Sequence, residues 1–159
     1  MHPEAEQLVR ELRLRPHPEG GYFVETYRSE IRILSGGRER SAITSIEFLL
    51  TGDDFSAFHR LTSDEIWHHY AGGPVAIETI APDGMHRQLV IGDGERRQAA
   101  VSAGSWFAAH LAGERAYALV GCDVAPGFEF EDFEVGSRAA MLREFPGLGE
   151  LVTRWALPE

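Results

Sequence analysis

The sequence predicts an all-β domain, a sandwich or barrel, and three observations carry that prediction. Short runs of β-branched and aromatic residues recur through the middle of the chain. Turn signals built from glycine, proline and aspartate separate these runs about every eight to twelve residues. Helical periodicity is confined to the two ends.

In chain order, residues 3 to 14 read as a short amphipathic helix with Pro3 at its first position and Leu8, Val9 and Leu12 on one face. The run Arg15-Pro16-His17-Pro18-Glu19-Gly20-Gly21 breaks it, because two prolines and two glycines cannot continue a helix. Tyr22 to Arg28 is aromatic and β-branched, Ile31 and Ile33 alternate with polar residues, and Gly36-Gly37 turns the chain. Ser41 to Leu50 is a further strand, ended by Thr51-Gly52-Asp53. Strand-type runs follow at Pro74–Ile80, His86–Ile91, Gln98–Val101, Ser105–Ala109 and Ala116–Val124. Between them, Ala81-Pro82-Asp83-Gly84 and Gly92-Asp93-Gly94 read as turns, the second as a hairpin turn. Phe128 to Val135 mixes aromatic and acidic residues and reads as a last strand or an extended arm with a solvated acidic edge. Ser137 is a helix N-cap for a stretch stopped by Pro146-Gly147, and a second short helix runs from Leu148 to Trp155. No repeat or linker divides the chain, so residues 1–159 form one domain.

Composition narrows the functions. A formal charge of -10 argues against nucleic acid and against an anionic membrane surface as partners. No apolar run approaches the roughly 18 residues of a membrane span. The single Cys122 forms no internal disulfide, and the N-terminus is acidic and polar, so a cytoplasmic setting is expected.

The chain is organised around Gly52 to Gly73, which holds His59, His68, His69 and Glu65 between glycine-marked turns. A hairpin turning at Thr62-Ser63-Asp64 would put His59 and Glu65 on neighbouring strands, facing the same side by parity. Imidazole plus carboxylate in an apolar cup makes a metal site, an acid/base pair or a ligand hydrogen-bonding pair.

This stretch resembles the first motif of the cupin superfamily: a glycine, a His-x-His pair, a glutamate and a closing glycine. Gly52, His59, Leu61, Glu65 and Gly72 stand at those places, with one extra residue before His59 and Leu61 replacing the second histidine. The second motif expects Pro-x-Gly-x-x-His; Ser102 to Phe107 retains Gly104 and has Phe107 at the histidine place. More narrowly, H-P-E-G-G-Y-F-V-E-T-Y-R-S, F-H-R-L-T-S-D-E-I-W-H, A-G-S-W-F-A-A and A-P-G-F-E-F-E-D-F resemble the Cupin_5-type branch, a domain of unknown function labelled as predicted sugar epimerases. The resemblance implies a double-stranded β-helix (jelly-roll) barrel, a homodimer and a small, sugar-derived ligand, including a sugar nucleotide.

On this reading His59 abstracts a proton beside a carbonyl, Glu65 orients the imidazole, and Tyr117 or Tyr70 returns the proton from the opposite face. No cofactor is required. If a metal binds, His59 and Glu65 are its ligands, although zinc normally takes three protein ligands and non-haem iron two histidines and a carboxylate. Trp67 and Phe107 are candidates for the pocket lining, and Phe48 for the lining or the core. Parity with Glu65 turns His69 inward, whereas the branch pattern favours His68. Parity places Glu25 and Tyr27 on one face and Arg28, a candidate phosphate or carboxylate binder, on the other. Cys122 reads as a buried inert thiol. The alternatives are a non-catalytic metabolite-binding cupin and a metal-dependent cupin enzyme with a rebuilt ligand set. Tyr22 to Leu34 is the candidate edge for pairing across a dimer axis.

Overall fold

The computed structural model describes residues 1–52, 54–94 and 96–158. Asp53, in the turn expected after Leu50, lies outside them. Helix α1 (Pro3–Glu11) is capped by His2, whose Nδ1 accepts from the Glu4 amide. It ends short of the expected Leu14, and Arg13 takes a left-handed φ of 57° beyond it, which breaks the helical ladder.

Thirteen strands follow: β1 (Arg15–Pro16), β2 (Tyr22–Arg28), β3 (Arg32–Ser35), β4 (Arg38–Ser41), β5 (Thr44–Thr51), β6 (Phe55–Leu61), β7 (Asp64–Gly72), β8 (Val75–Ile80), β9 (His86–Ile91), β10 (Gln98–Val101), β11 (Trp106–Leu111), β12 (Tyr117–Ala125) and β13 (Phe133–Val135). Helices α2 (Arg138–Glu144) and α3 (Gly149–Trp155) close the chain, α2 with Ser137 accepting from the Ala140 amide. Six strands form one antiparallel sheet in the order β1-β2-β5-β12-β7-β10, and five form another in the order β13-β6-β11-β8-β9. Strands β3 and β4 make a separate hairpin. The result is a jelly-roll barrel.

Alternation along the strands sorts the core into layers. Phe48, Leu50, Trp67, Ile77, Phe107, Val120 and Cys122 fill the space between the sheets. Their neighbours Leu49 and Leu119 point outward and pack with Ala5 of α1. On the other outer face, Phe58, Ile80, Trp106 and Ala108 are covered by Met141, Phe145 and Val152 of the C-terminal helices. The helices therefore cap apolar sheet faces that water would otherwise meet.

The expected hairpin between β6 and β7 does not form. The two strands belong to opposite sheets, with β6 pairing β11 and β13 and β7 pairing β10 and β12. The chain crosses the barrel at Thr62-Ser63, so His59 and Glu65 stand on facing walls rather than side by side. Gly92-Asp93-Gly94 is likewise a crossing, since β9 and β10 are edge strands of different sheets. The Tyr22 to Leu34 segment divides: β2 lies between β1 and β5, and β3 belongs to the separate hairpin. Strand β1 pairs only Tyr22 and Phe23, leaving the outer edge of β2 beyond them without a strand partner among the described residues.

Candidate functional site

One cavity of about 100 Å³ opens between the sheets. Its floor is formed by buried His17, Glu19, His59, Glu65 and Cys122, and its rim by Glu25, Arg28, Glu129 and Phe130. Leu61, Phe23, Phe128 and Phe133 are among the apolar residues between.

Two bulges aim the polar groups. Phe107 opposes His59 while Ala109 opposes Ser56, so β6 carries one residue more than β11 over that interval. Residues three apart on a regular strand face opposite ways, yet here Ser56 and His59 both reach Glu19. The Ser56 hydroxyl donates to Glu19 Oε1 at 2.7 Å, and His59 Nδ1 lies 3.1 Å from Glu19 Oε2. The second bulge is in β2, where Glu25 opposes Ile46 and Tyr27 opposes Ser45, leaving Thr26 extra. It corrects the parity expected from the sequence: Glu25 and Arg28 both line the cavity, and Tyr27 is exposed. Arg28 grips Glu25 with Nε and one terminal nitrogen at 2.9 and 2.8 Å, and its other terminal nitrogen donates to Glu129 at 3.0 Å.

The loop before β2 brings Glu19 in. Gly20 and Gly21 have φ of 109° and 73°, and a side chain at Gly20 would collide with the Phe55 carbonyl. Only glycine allows this close approach. The His17 ring accepts from the Glu19 amide at its Nδ1, 3.2 Å away, and meets the Phe23 ring edge-on at 4.6 Å.

Hydrogen bonding sets the state of His59. Its Nδ1 is 2.7 Å from the Ala57 carbonyl, which can only accept, so Nδ1 carries the proton of the neutral ring. Nε2 then presents a lone pair, and no described residue is a hydrogen-bond partner for it. Burial pulls the imidazole down to about 3; the Ala57 carbonyl opposes this and His17 adds to it. Burial also pulls His17 down, to about 4. Glu19 is pushed well above the ordinary carboxyl range by burial, against the Ser56 hydrogen bond and with Glu65 adding to the rise. Glu19 and His59 are in contact, and burial favours the neutral form of each, because no charge is solvated at that depth. Glu65 is pushed up to about 7 by burial, with the Cys122 thiol and the Trp67 indole beside it pulling the other way. The indole nitrogen lies near that carboxyl without a hydrogen bond of full geometry. The Cys122 thiol is itself raised by burial and then by Glu65.

The other sequence candidates have definite places. Phe107 is buried behind His59, its ring 4.0 Å from the imidazole, and Trp67 stands edge-on to Phe48 at 5.9 Å. Phe48, Trp67 and Phe107 back the cavity without lining it. His68 and His69 also lie outside its lining. His68 Nε2 meets Asp123 at 2.9 Å, while His69 Nε2 donates to the Gly73 carbonyl at 2.9 Å with its ring against Gly92. Tyr117 contacts Glu4 and His2 near α1, and Tyr70 is exposed beside His68. Neither tyrosine lines the cavity.

Sequence reading missed Glu19 and His17, although a histidine and a glutamate set among prolines and glycines were a signal. It also assigned the Glu129 to Glu134 run to a solvated edge, whereas Glu129 and Phe130 form the rim and Phe133 packs against His59 at 5.4 Å. The signal was the spacing of Phe128, Phe130 and Phe133.

A model of the family described as "Cupin superfamily (DUF985)" matches residues 6–136. The chain belongs to this Cupin_5 branch of the cupins. An uncharacterized protein of Saccharomyces cerevisiae, YML079W, is 32% identical to this cupin over 146 residues, 80% of the chain and 72% of that protein. A hypothetical protein from Leishmania major superposes with a TM-score of 0.92 at 34% identity, over 98% of this chain and 99% of that one. Protein SO0799 from Shewanella oneidensis gives 0.89 at 37% identity, over 98% of both chains. Oxalate decarboxylase from Bacillus subtilis, at 0.58 and 13% identity over 91% of this chain and 37% of that one, shares the fold.

Metal-binding cupins use the motif positions held here by His59, Leu61, Glu65 and Phe107. Two of these four are hydrocarbon, and no group of three or more His, Cys, Asp or Glu among the described residues could hold a metal ion. The residues present do not fit a bound metal at this site.

Proposed function

We propose that this cupin binds a small carbonyl compound, sugar-derived as the family resemblance implies, and moves a proton at the carbon beside the carbonyl as an epimerase or isomerase. The observation that supports this most strongly is the placement of His59 and Glu65, both buried, on facing walls of one cavity. Epimerisation needs a base on one face of a carbon and an acid on the other. His59 Nε2 takes the proton from one face, leaving an enolate. The Glu65 carboxyl, which burial keeps partly protonated near neutral pH, returns one to the other face. Solvent then removes the proton from His59 and restores that of Glu65. Glu19 and the Ala57 carbonyl hold the imidazole in the tautomer that presents its base, the part the sequence assigned to Glu65. Glu65 takes the role that had been given to a tyrosine.

The test is proton NMR in deuterated buffer with a panel of free, aminated and nucleotide-linked sugars. Deuterium enters beside the carbonyl of a substrate with the wild type, and at a rate lower by on the order of 10²–10⁴-fold with His59→Gln. Undiminished exchange in His59→Gln, or no exchange with any member, overturns the proposal and leaves a binding cupin.

A further inference from the structure

We propose that the ligand of this cavity is a small organic cation whose ammonium group sits at the rim, and that the cavity discriminates against phosphate and carboxylate compounds. This rests on the reading of the cavity as a ligand site and names the class of molecule it takes.

Two sets of observations support it. The first is aromatic. Phe128, Phe130 and Phe133 all line the cavity, and their ring planes meet at 81°, 65° and 86° with centroids 5.0, 5.9 and 6.1 Å apart. These rings, together with Phe23, make an aromatic lining on one side of the cavity. Aromatic linings favour ammonium groups, because ring faces carry negative potential. The three rings arise from one short segment and β13, so a single stretch of chain supplies them.

The second is the charge balance. Four carboxyl groups line the cavity, Glu19 and Glu65 on the floor and Glu25 and Glu129 at the rim, against one arginine. Arg28 is the group an anion would seek, but four of its five N–H donors are engaged. Nε and one terminal nitrogen go to Glu25, the other terminal nitrogen to Glu129, and the Phe128 carbonyl accepts a further bond at 3.0 Å. The Glu25–Arg28–Glu129 cluster carries a net single negative charge. An anionic ligand would have to break these bonds and approach two carboxylates, whereas an ammonium meets both carboxylates and the rings without displacing any of them. With the ammonium at the rim, the rest of the ligand extends towards His59 and Glu65.

The test uses three probes of one shape and different charge: tert-butylammonium chloride, tert-butanol and sodium pivalate, titrated at constant ionic strength and followed by protein NMR. The ammonium is expected to bind about tenfold more tightly than the alcohol, with pivalate weakest. Glu129→Gln and Phe130→Leu, both at rim positions, should each shrink the advantage of the ammonium over the alcohol of the same shape. Equal binding of the three, a preference for pivalate, or no binding by any of them overturns the inference. So does an undiminished ammonium advantage in both variants. This order of affinities does not depend on proton transfer, so the deuterium experiment can fail while the charge preference stands, and the reverse.

Discussion

Replacing Glu65 by Gln keeps the shape of the side chain and removes its titration. In the folded protein the carboxyl is buried and pushed up to about 7, against 4.5 for the ordinary group. Below the ordinary value the group is protonated both folded and unfolded, and it favours neither. As pH rises from there, the unfolded chain gives up its proton while the folded protein keeps it, so stability falls with pH until Glu65 ionises in place. The difference between about 7 and 4.5, at about 1.4 kcal/mol for each factor of ten, makes the loss about 3 kcal/mol by pH 9. Glu65→Gln escapes that loss. The assay is urea denaturation of both proteins at pH 5, 7 and 9, reading the difference in unfolding free energy at each pH. His17, His59 and Glu19 also titrate, but they are common to both proteins and largely cancel. Glu65→Gln should gain on the wild type by about 3 kcal/mol between pH 5 and pH 9. A gap between the proteins that is flat with pH would show that Glu65 ionises as an ordinary surface carboxyl and would refute the account of the floor.

Three other perturbations probe the frame around the site. Phe107→Ala opens a hole behind His59 and should cost about 3–5 kcal/mol in the same denaturation assay; a loss well under 1 kcal/mol would mean the ring does not support the floor. Arg40 donates to Asp132 at 2.7 and 2.9 Å, so Arg40→Ala should speed amide exchange across residues 128–133 while the barrel strands stay protected; an unchanged exchange pattern would contradict that latch. We also propose self-association through the β2 edge and the segment that follows it into β3, where Tyr27, Ile31 and Leu34 are exposed. Light scattering should then give about twice 17.7 kDa, falling to the single-chain mass with Leu34→Glu, and a monomeric wild type would contradict it.

Period-two alternation and turn chemistry were enough to read β2, β9 and β10 with their observed ends, because those signals are local. Which strands pair was not legible. The Thr62-Ser63 segment carries ordinary turn residues, and nothing local says whether a turn returns the chain to the same sheet or carries it across the barrel. Motif spacing singled out His59 and Glu65, and both line the cavity, yet their relation across it was not legible. The bulges at β2 and β6 escaped for a similar reason: an extra residue is visible only against the partner strand, and it decides whether Arg28 or Tyr27 enters the cavity. Glu19 stayed hidden because its loop gains meaning only when Gly20 lets it close on Phe55.

The measurement that bears most directly on the central claim is the nitrogen-15 NMR titration of the His59 ring between pH 5 and 8. The account predicts a neutral imidazole throughout, with its proton on Nδ1 and Nε2 bare, since burial holds the group down near 3. A ring that stays charged up to pH 8, or one whose neutral form carries its proton on Nε2, would leave the cavity without its base and contradict the proposed chemistry.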